Sequence, residues 1–103
     1  MKNIAEIGKF RLAPVVKLSG LHPVKLDEQP VGYGLALEAK TGENNYYAIA
    51  FIEWNAHECE TKMRTVGERF IKEVESADDW RAARALIKVA IELVTANAPK
   101  EDY

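Results

Sequence analysis

The fold of this chain is decided by the stretch WRAARALIKVAIELVTAN, which occupies residues 80–97. Read at the 3.6-residue period of an α-helix, it is apolar around most of its circumference, whereas an ordinary surface helix has a narrower apolar face. We therefore expect a helix that needs cover on most sides and around which the rest of the chain folds. Its polar residues fall on one thin stripe: Arg81, Arg84, Lys88, Glu92 and Thr95.

Residues on either side of this stretch mark the expected ends of the helix. Ser76 is a favourable N-cap, and Asp79 stands three residues later, where its side chain closes a capping box. At the other end, Pro99 cannot continue a helix, and Asn97 is a residue that tolerates the left-handed conformation of a C-cap. The sequence therefore predicts that the helix stops at residues 96–99, where Asn97 is able to adopt a left-handed cap.

Before residue 55 the apolar residues alternate with a period of two, which is typical of strands. Three segments show this pattern: residues 9–18, 32–39 and 46–54. The second and third are joined by a polar turn rich in Gly and Asn, which predicts an antiparallel hairpin. Pro14 cannot donate to a strand ladder, so the first strand is expected to lie at an edge or to break there. Val24–Leu26, in the connector between the first two strands, is a candidate for a short extra strand.

Two interpretations of residues 56–74 remain open. Apolar residues recur there every three or four positions, from Ala56 and Cys59 to Val74, which predicts an amphipathic helix capped by Asn55. Within residues 61–70, however, Thr and Met alternate with charged residues, which fits a fourth strand. Gly67 costs about 1 kcal/mol relative to Ala inside a helix.

The order of strands followed by helices predicts one α+β domain over residues 1–103. We expect an antiparallel sheet of three strands, or four with the second interpretation, followed by two C-terminal helices packed on one face. Tyr47, Ile49 and Phe51 are expected to face the helices. The opposite face of this strand is expected to be apolar as well, with Tyr46, Ala48, Ala50, Ile52 and Trp54. Exposed apolar patches often mark association sites. The sequence thus predicts a homodimer or a complex with another protein, formed through the second sheet face or the last helix.

Composition argues against several classes of function. The net charge is −2, from 14 Lys and Arg against 16 Asp and Glu, which is too balanced to indicate a nucleic-acid or membrane surface. The single cysteine excludes an internal disulfide and fits a reducing compartment. The sequence shows no signal peptide and no apolar run of the roughly 20 residues that a membrane helix needs. We expect a cytoplasmic protein without membrane contact.

Reactive side chains are densest at His57 and Cys59, with His22 as the second histidine. On a helix, positions i and i+2 point about 200° apart, so His57 and Cys59 cannot bind one metal ion. Cys59 lies on the expected apolar stripe and is therefore predicted to be a core residue. We predict no catalytic residue, no metal and no cofactor.

These observations predict a small non-enzymatic interaction module, an adaptor or inhibitor of a size that suits a phage or another mobile element. One alternative is a nucleic-acid-binding accessory protein that uses the basic stripe of the last helix. A second alternative is a small-ligand-binding domain or enzyme with a site near Glu53 and His57. The residues predicted to bind a partner are aromatic anchors and bases: Tyr33, Tyr46, Trp54, Trp80, Arg81, Arg84 and Lys88.

Overall fold

A computed structural model describes residues 4–15, 23–26 and 29–98, and within them it confirms the α+β class. Five strands form one antiparallel sheet in the order β1-β2-β5-β6-β7, and β3 pairs with β4 in a separate hairpin. The prediction of three or four strands in the sheet was therefore too low. The elements are β1 (Ala5–Ile7), β2 (Phe10–Pro14), β3 (Val24–Leu26), β4 (Gln29–Gly32), β5 (Leu35–Gly42), β6 (Asn45–Asn55), β7 (Glu60–Thr65), α1 (Arg69–Glu73) and α2 (Ala77–Ala96).

The predicted β5–β6 hairpin and the short strand β3 are both present. β2 lies between β1 and β5, so it is not an edge strand. It ends at Pro14, as expected for a residue that cannot donate to the ladder.

The capping box of α2 is present, because Ser76 Oγ accepts from Asp79 N at 3.0 Å and Asp79 Oδ2 accepts from Ser76 N at 3.3 Å. The helix ends at Ala96, but Asn97 does not adopt the left-handed conformation available to it, since its φ is −103°. Its side-chain Nδ2 donates instead to Leu93 O at 2.8 Å. The amide side chain therefore satisfies a terminal carbonyl without a left-handed turn.

The core lies between one side of α2 and the inner face of the sheet. Leu86 of α2 is fully buried, whereas Val89 and Ile91 are each 38% exposed. The helix is thus covered on one side, and the described residues do not supply the cover on most sides that its sequence predicts. The largest fully buried side chains are Phe10, Leu12, Leu35, Leu37, Ile49, Ile52 and Leu86.

A bulge in β6 corrects the predicted faces of the sheet. Leu37 pairs with Ala50 while Glu38 pairs with Ala48, so Ile49 is an extra residue on β6. A bulge of one residue shifts the alternation of the strand, and everything after it changes face. Ala50, Ile52 and Trp54, predicted for the opposite face, therefore join Ile49 against the core, and Phe51 turns outward. Within the described residues, the second apolar face is therefore not built from Ala50, Ile52 and Trp54 as predicted.

For residues 56–74, the strand interpretation is confirmed at β7 and the long helix was wrong. Asn55 Oδ1 accepts from Glu58 N at 2.9 Å, which is the bond expected of a helix cap, but here it closes the turn between β6 and β7. Gly67 has a φ of +51°, outside the range of a right-handed helix, so the helical part of residues 56–74 is limited to α1 after it. Cys59 is exposed in the turn, and its prediction as a core residue was also wrong.

Candidate protein interface

β7 is an edge of the sheet, with β6 as its only strand neighbour among the described residues. Val66 N, directly after β7, donates to Ile49 O of β6 at 3.0 Å. Because backbone polar groups point to alternate sides along a strand, the N–H and C=O groups of Thr61, Met63 and Thr65 point away from β6. The opposite edge, β1, has only three residues against six in β7.

One flank of α2 faces this edge. Thr95 Oγ1 lies 2.6 Å from Thr61 Oγ1 of β7. Ile91 and Ile87 precede Thr95 by one and two helical turns, and residues at this spacing share a side of the helix. Trp80 lies on the same side near the helix start, where its ring packs edge-to-face on Phe70 of α1 with centroids 6.2 Å apart. The inward side of β7 adds Met63, which is 41% exposed.

A shallow groove of about 440 Å³ runs along this flank. Ile87 and Ile91 give it apolar side chains, and Arg84, Lys88 and Glu92 supply charges beside them. Apolar anchors beside a charged and solvated rim are typical of protein interfaces. We call this the helix–edge surface, defined as Met63, Trp80, Arg84, Ile87, Lys88 and Ile91.

The outer face of the sheet, turned away from α2, is organised differently. Glu6, Arg11 and Glu38 are cross-strand neighbours with alternating charge, and Arg11 Nε lies 2.7 Å from Glu38 Oε1. The Arg11 guanidinium carbon lies 3.6 Å from the ring centroid of Tyr46, whose hydroxyl donates to Glu6 at 3.1 Å. Burial and this hydrogen bond raise the pKa of Tyr46. Arg64 similarly covers Phe51 at 4.8 Å, so each aromatic ring on this face already has a cationic cover.

A third polar cluster fastens α1 to the sheet. The Tyr47 hydroxyl donates to Glu73, and Lys9 Nζ lies 3.2 Å from Glu73 Oε1. The hydrogen bond from Tyr47 lowers the pKa of Glu73, with a further contribution from Lys9. The same bond to Glu73, together with burial, raises the pKa of Tyr47. A carboxylate with a lowered pKa is a weak base, so this cluster is suited to anchoring α1 rather than to proton transfer. An open depression of about 620 Å³ beside it is lined by Tyr47, Glu68, Arg69, Ile71 and Lys72.

The structure brings together three of the seven residues predicted to bind a partner: Trp80, Arg84 and Lys88 on the helix–edge surface. Arg81 is on the solvent side of α2, where it pairs with Asp78 at 2.9 Å.

The three remaining aromatic residues lie elsewhere. Tyr33 precedes β5, and its backbone N donates to Val15 O at 2.7 Å. Tyr46 is on the outer face under Arg11, and Trp54 packs against the core. Sequence reasoning missed Ile87 and Ile91 as interface residues, although their spacing from Trp80, seven and eleven positions, places all three on one helical flank.

Among the described residues, the reactive side chains do not converge. His57 and Cys59 are exposed in the β6–β7 turn, where Cys59 Sγ donates to Ala56 O at 3.5 Å. Glu53, proposed for a ligand site, pairs with Arg64 at 3.5 Å. His22 lies outside the described residues. Within the described ranges, no group of three or more His, Cys, Asp or Glu side chains is arranged to hold a metal ion.

Comparison with protein-family models, curated proteins and solved structures found no match. Across residues 4–15, 23–26 and 29–98, no helix combines the length and the apolar character needed to cross a membrane.

Proposed function

We propose that the protein is a small non-enzymatic interaction module, an adaptor or inhibitor, that binds another protein or a second copy of itself through the helix–edge surface. The observation that carries this proposal is the exposure of Ile91 and Met63 beside an edge strand whose outer polar groups face away from the sheet. Burying such apolar surface contributes about 25 cal/mol per Å² to association. An added strand would satisfy the backbone groups of β7.

The residue types on this surface support protein binding. Trp and Arg are enriched among the residues that dominate binding energy, and Trp80 and Arg84 lie on the same flank. Arg84 and Lys88 stand beside isoleucines instead of the stacked aromatic rings that single-stranded nucleic acids require. The two described bases of the predicted first strand also have partners, Lys9 in Glu73 and Arg11 in Glu38. These contacts favour a protein partner over a nucleic acid.

The test is affinity capture of the tagged full chain from a lysate of its own source, with and without nuclease, followed by mass spectrometry. Ile91→Lys and Val89→Lys form a matched pair, because both residues are 38% exposed on the same helix. Because the two residues are two positions apart, their side chains point about 160° away from each other around the helix axis. Val89 is seven residues after Ala82, which lies beside the β1–β2 turn, so it belongs to the other flank.

We expect one stoichiometric protein that survives nuclease, is retained by Val89→Lys and is lost with Ile91→Lys. A protein retained equally by both variants would contradict the assigned surface. Capture that disappears with nuclease would support the nucleic-acid alternative and overturn the proposal.

A further inference from the structure

We propose that the occupant of the β7 edge is a second copy of this chain, whose own β7 pairs antiparallel with it. The two five-stranded sheets then form one continuous sheet. This inference rests on the proposed function and specifies the partner.

The backbone of β7 presents a usable ladder. Thr61 and Met63 direct their N–H and C=O groups outward, as the bond from Val66 to β6 establishes. When Thr61 of one copy stands opposite Met63 of the other, the two residues form two backbone hydrogen bonds with each other. A two-fold axis perpendicular to the sheet repeats this pair, so the edge gains four backbone hydrogen bonds.

Charge selects the register of this pairing. In the paired strands, side chains that lie opposite each other must be on the same face of the sheet. Two symmetric registers meet this condition with an overlap of five residues of β7. In the register centred on Lys62, Glu60 of each copy stands opposite Arg64 of the other. In the register centred on Met63, Lys62 stands opposite Arg64, and like charges directly opposite are destabilising. The first register is therefore favoured.

Glu60 and Arg64, which this register joins, cannot pair with each other within one chain, where Glu60 lies 3.7 Å from Lys62 and Arg64 lies 3.5 Å from Glu53. Four positions along a strand separate Glu60 and Arg64 by about 13 Å. Their side chains are largely exposed, 59% for Glu60 and 61% for Arg64. Lys62 meets its own symmetry mate at the axis, where Glu58 and Glu60 of its own chain pair with it and offset the repulsion.

The same symmetry joins the apolar parts of the surface. In a continuous sheet both α2 helices lie in one layer on the same face, and the flank that faces β7 is the flank that faces the second copy. Met63, Ile87 and Ile91 of the two copies then approach across the axis. Edge pairing and helix burial thus form one continuous interface, as expected for an isologous dimer.

The register is tested by a charge exchange followed by sedimentation equilibrium of the full chain. The wild type is expected at twice the 11.6 kDa chain mass. Glu60→Arg alone and Arg64→Glu alone each create two like-charge pairs, and each is expected to raise the Kd of the dimer about tenfold or more. Mixing the two variants regenerates two attractive pairs, and their mixture is expected to dimerise about as tightly as the wild type. Glu43→Arg, an exposed change in the β5–β6 turn, is the control and is expected to leave the Kd unchanged.

A mixture whose Kd stays as high as that of the single variants would overturn the proposed register. Single variants that dimerise as tightly as the wild type would overturn it as well. A wild type that stays at the chain mass at all concentrations would overturn self-pairing and show that Lys62 and Arg64 protect the edge, as charges on edge strands often do. If capture still returned a different protein that is lost with Ile91→Lys, the interaction function would stand while the second-copy proposal would fall.

Discussion

The outer face of the sheet and the helix–edge surface both carry large apolar or aromatic side chains, but only the outer face covers them itself. There, Arg11 lies over Tyr46 and Arg64 over Phe51, and carboxylates complete the network. At the helix–edge surface, Ile91 and Met63 remain exposed beside a strand that has one neighbour. Aromatic content alone therefore does not identify an interface. What distinguishes the two surfaces is whether the chain's own charged residues cover the large apolar side chains.

Substitutions on the buried side of α2 are expected to lower the free energy of unfolding more than substitutions on its exposed flank, and this is the largest difference that we predict. Leu86→Ala removes a fully buried side chain and is expected to lower the free energy of unfolding by about 2–5 kcal/mol. Ile91→Ala, measured at a concentration where the chain is monomeric, is expected to cost about 1 kcal/mol or less, because its side chain is partly solvated. Urea denaturation of both variants measures the difference. Equal losses would mean that Ile91 is a core residue and not part of an interface.

A smaller effect is expected at the cluster that anchors α1. Tyr47→Phe removes the donor to Glu73 and is expected to cost about 1 kcal/mol, a typical net value for one hydrogen bond. Because the folded-state pKa of Glu73 is lowered, its contribution to stability is present above the ordinary value of 4.5 and is lost as the pH falls through the folded value.

Denaturation of the wild type and of Glu73→Gln between pH 7 and pH 3 measures this contribution. We expect the wild type to lose more stability than the variant as the pH falls. An identical pH dependence in the two proteins would show that Glu73 is not held ionised by Tyr47 and Lys9.

The smallest expected effect tests the outer face. Arg11→Met keeps part of the aliphatic cover over Tyr46 but removes the charge, and a cation–π contact at an exposed site contributes about 0.5–1 kcal/mol. We expect a loss of that size in thermal or urea denaturation and no change in the sedimentation mass. A new association in this variant would show that the outer face becomes an interface once its cover is removed. That result would support cover by charged residues as the difference between the two surfaces. Loss of the wild-type association would contradict it.

Local signals predicted part of the fold well. Ser76 and Asp79 form the expected capping box, and the Gly- and Asn-rich turn joins β5 to β6, because both depend on residues close in sequence. The bulge at Ile49 depends on pairing with β5, and no residue type in β6 predicts it. Without the bulge, Ala50 and Ile52 are assigned to the wrong face, and the second apolar face is predicted in error.

The candidate site could be predicted only in part. Trp80, Arg84 and Lys88 follow from the helical period of α2, and the same period contains Ile87 and Ile91. Met63 could not be placed while residues 56–74 fitted both a helix and a strand. The choice between them depends on pairing with β6 and on the positive φ of Gly67, and neither is visible in the apolar spacing.

The most direct test of the account is amide hydrogen exchange of the wild type at low and high protein concentration. We expect exchange at Thr61 and Met63 of β7 to slow as the concentration rises, because the outward N–H groups of these two residues gain partners on association. The amides of β1, at the other edge, are expected to exchange at the same rate throughout. Exchange in β7 that is independent of concentration, or protection that appears equally at both edges, would contradict the assignment of the helix–edge surface as the place where this chain associates.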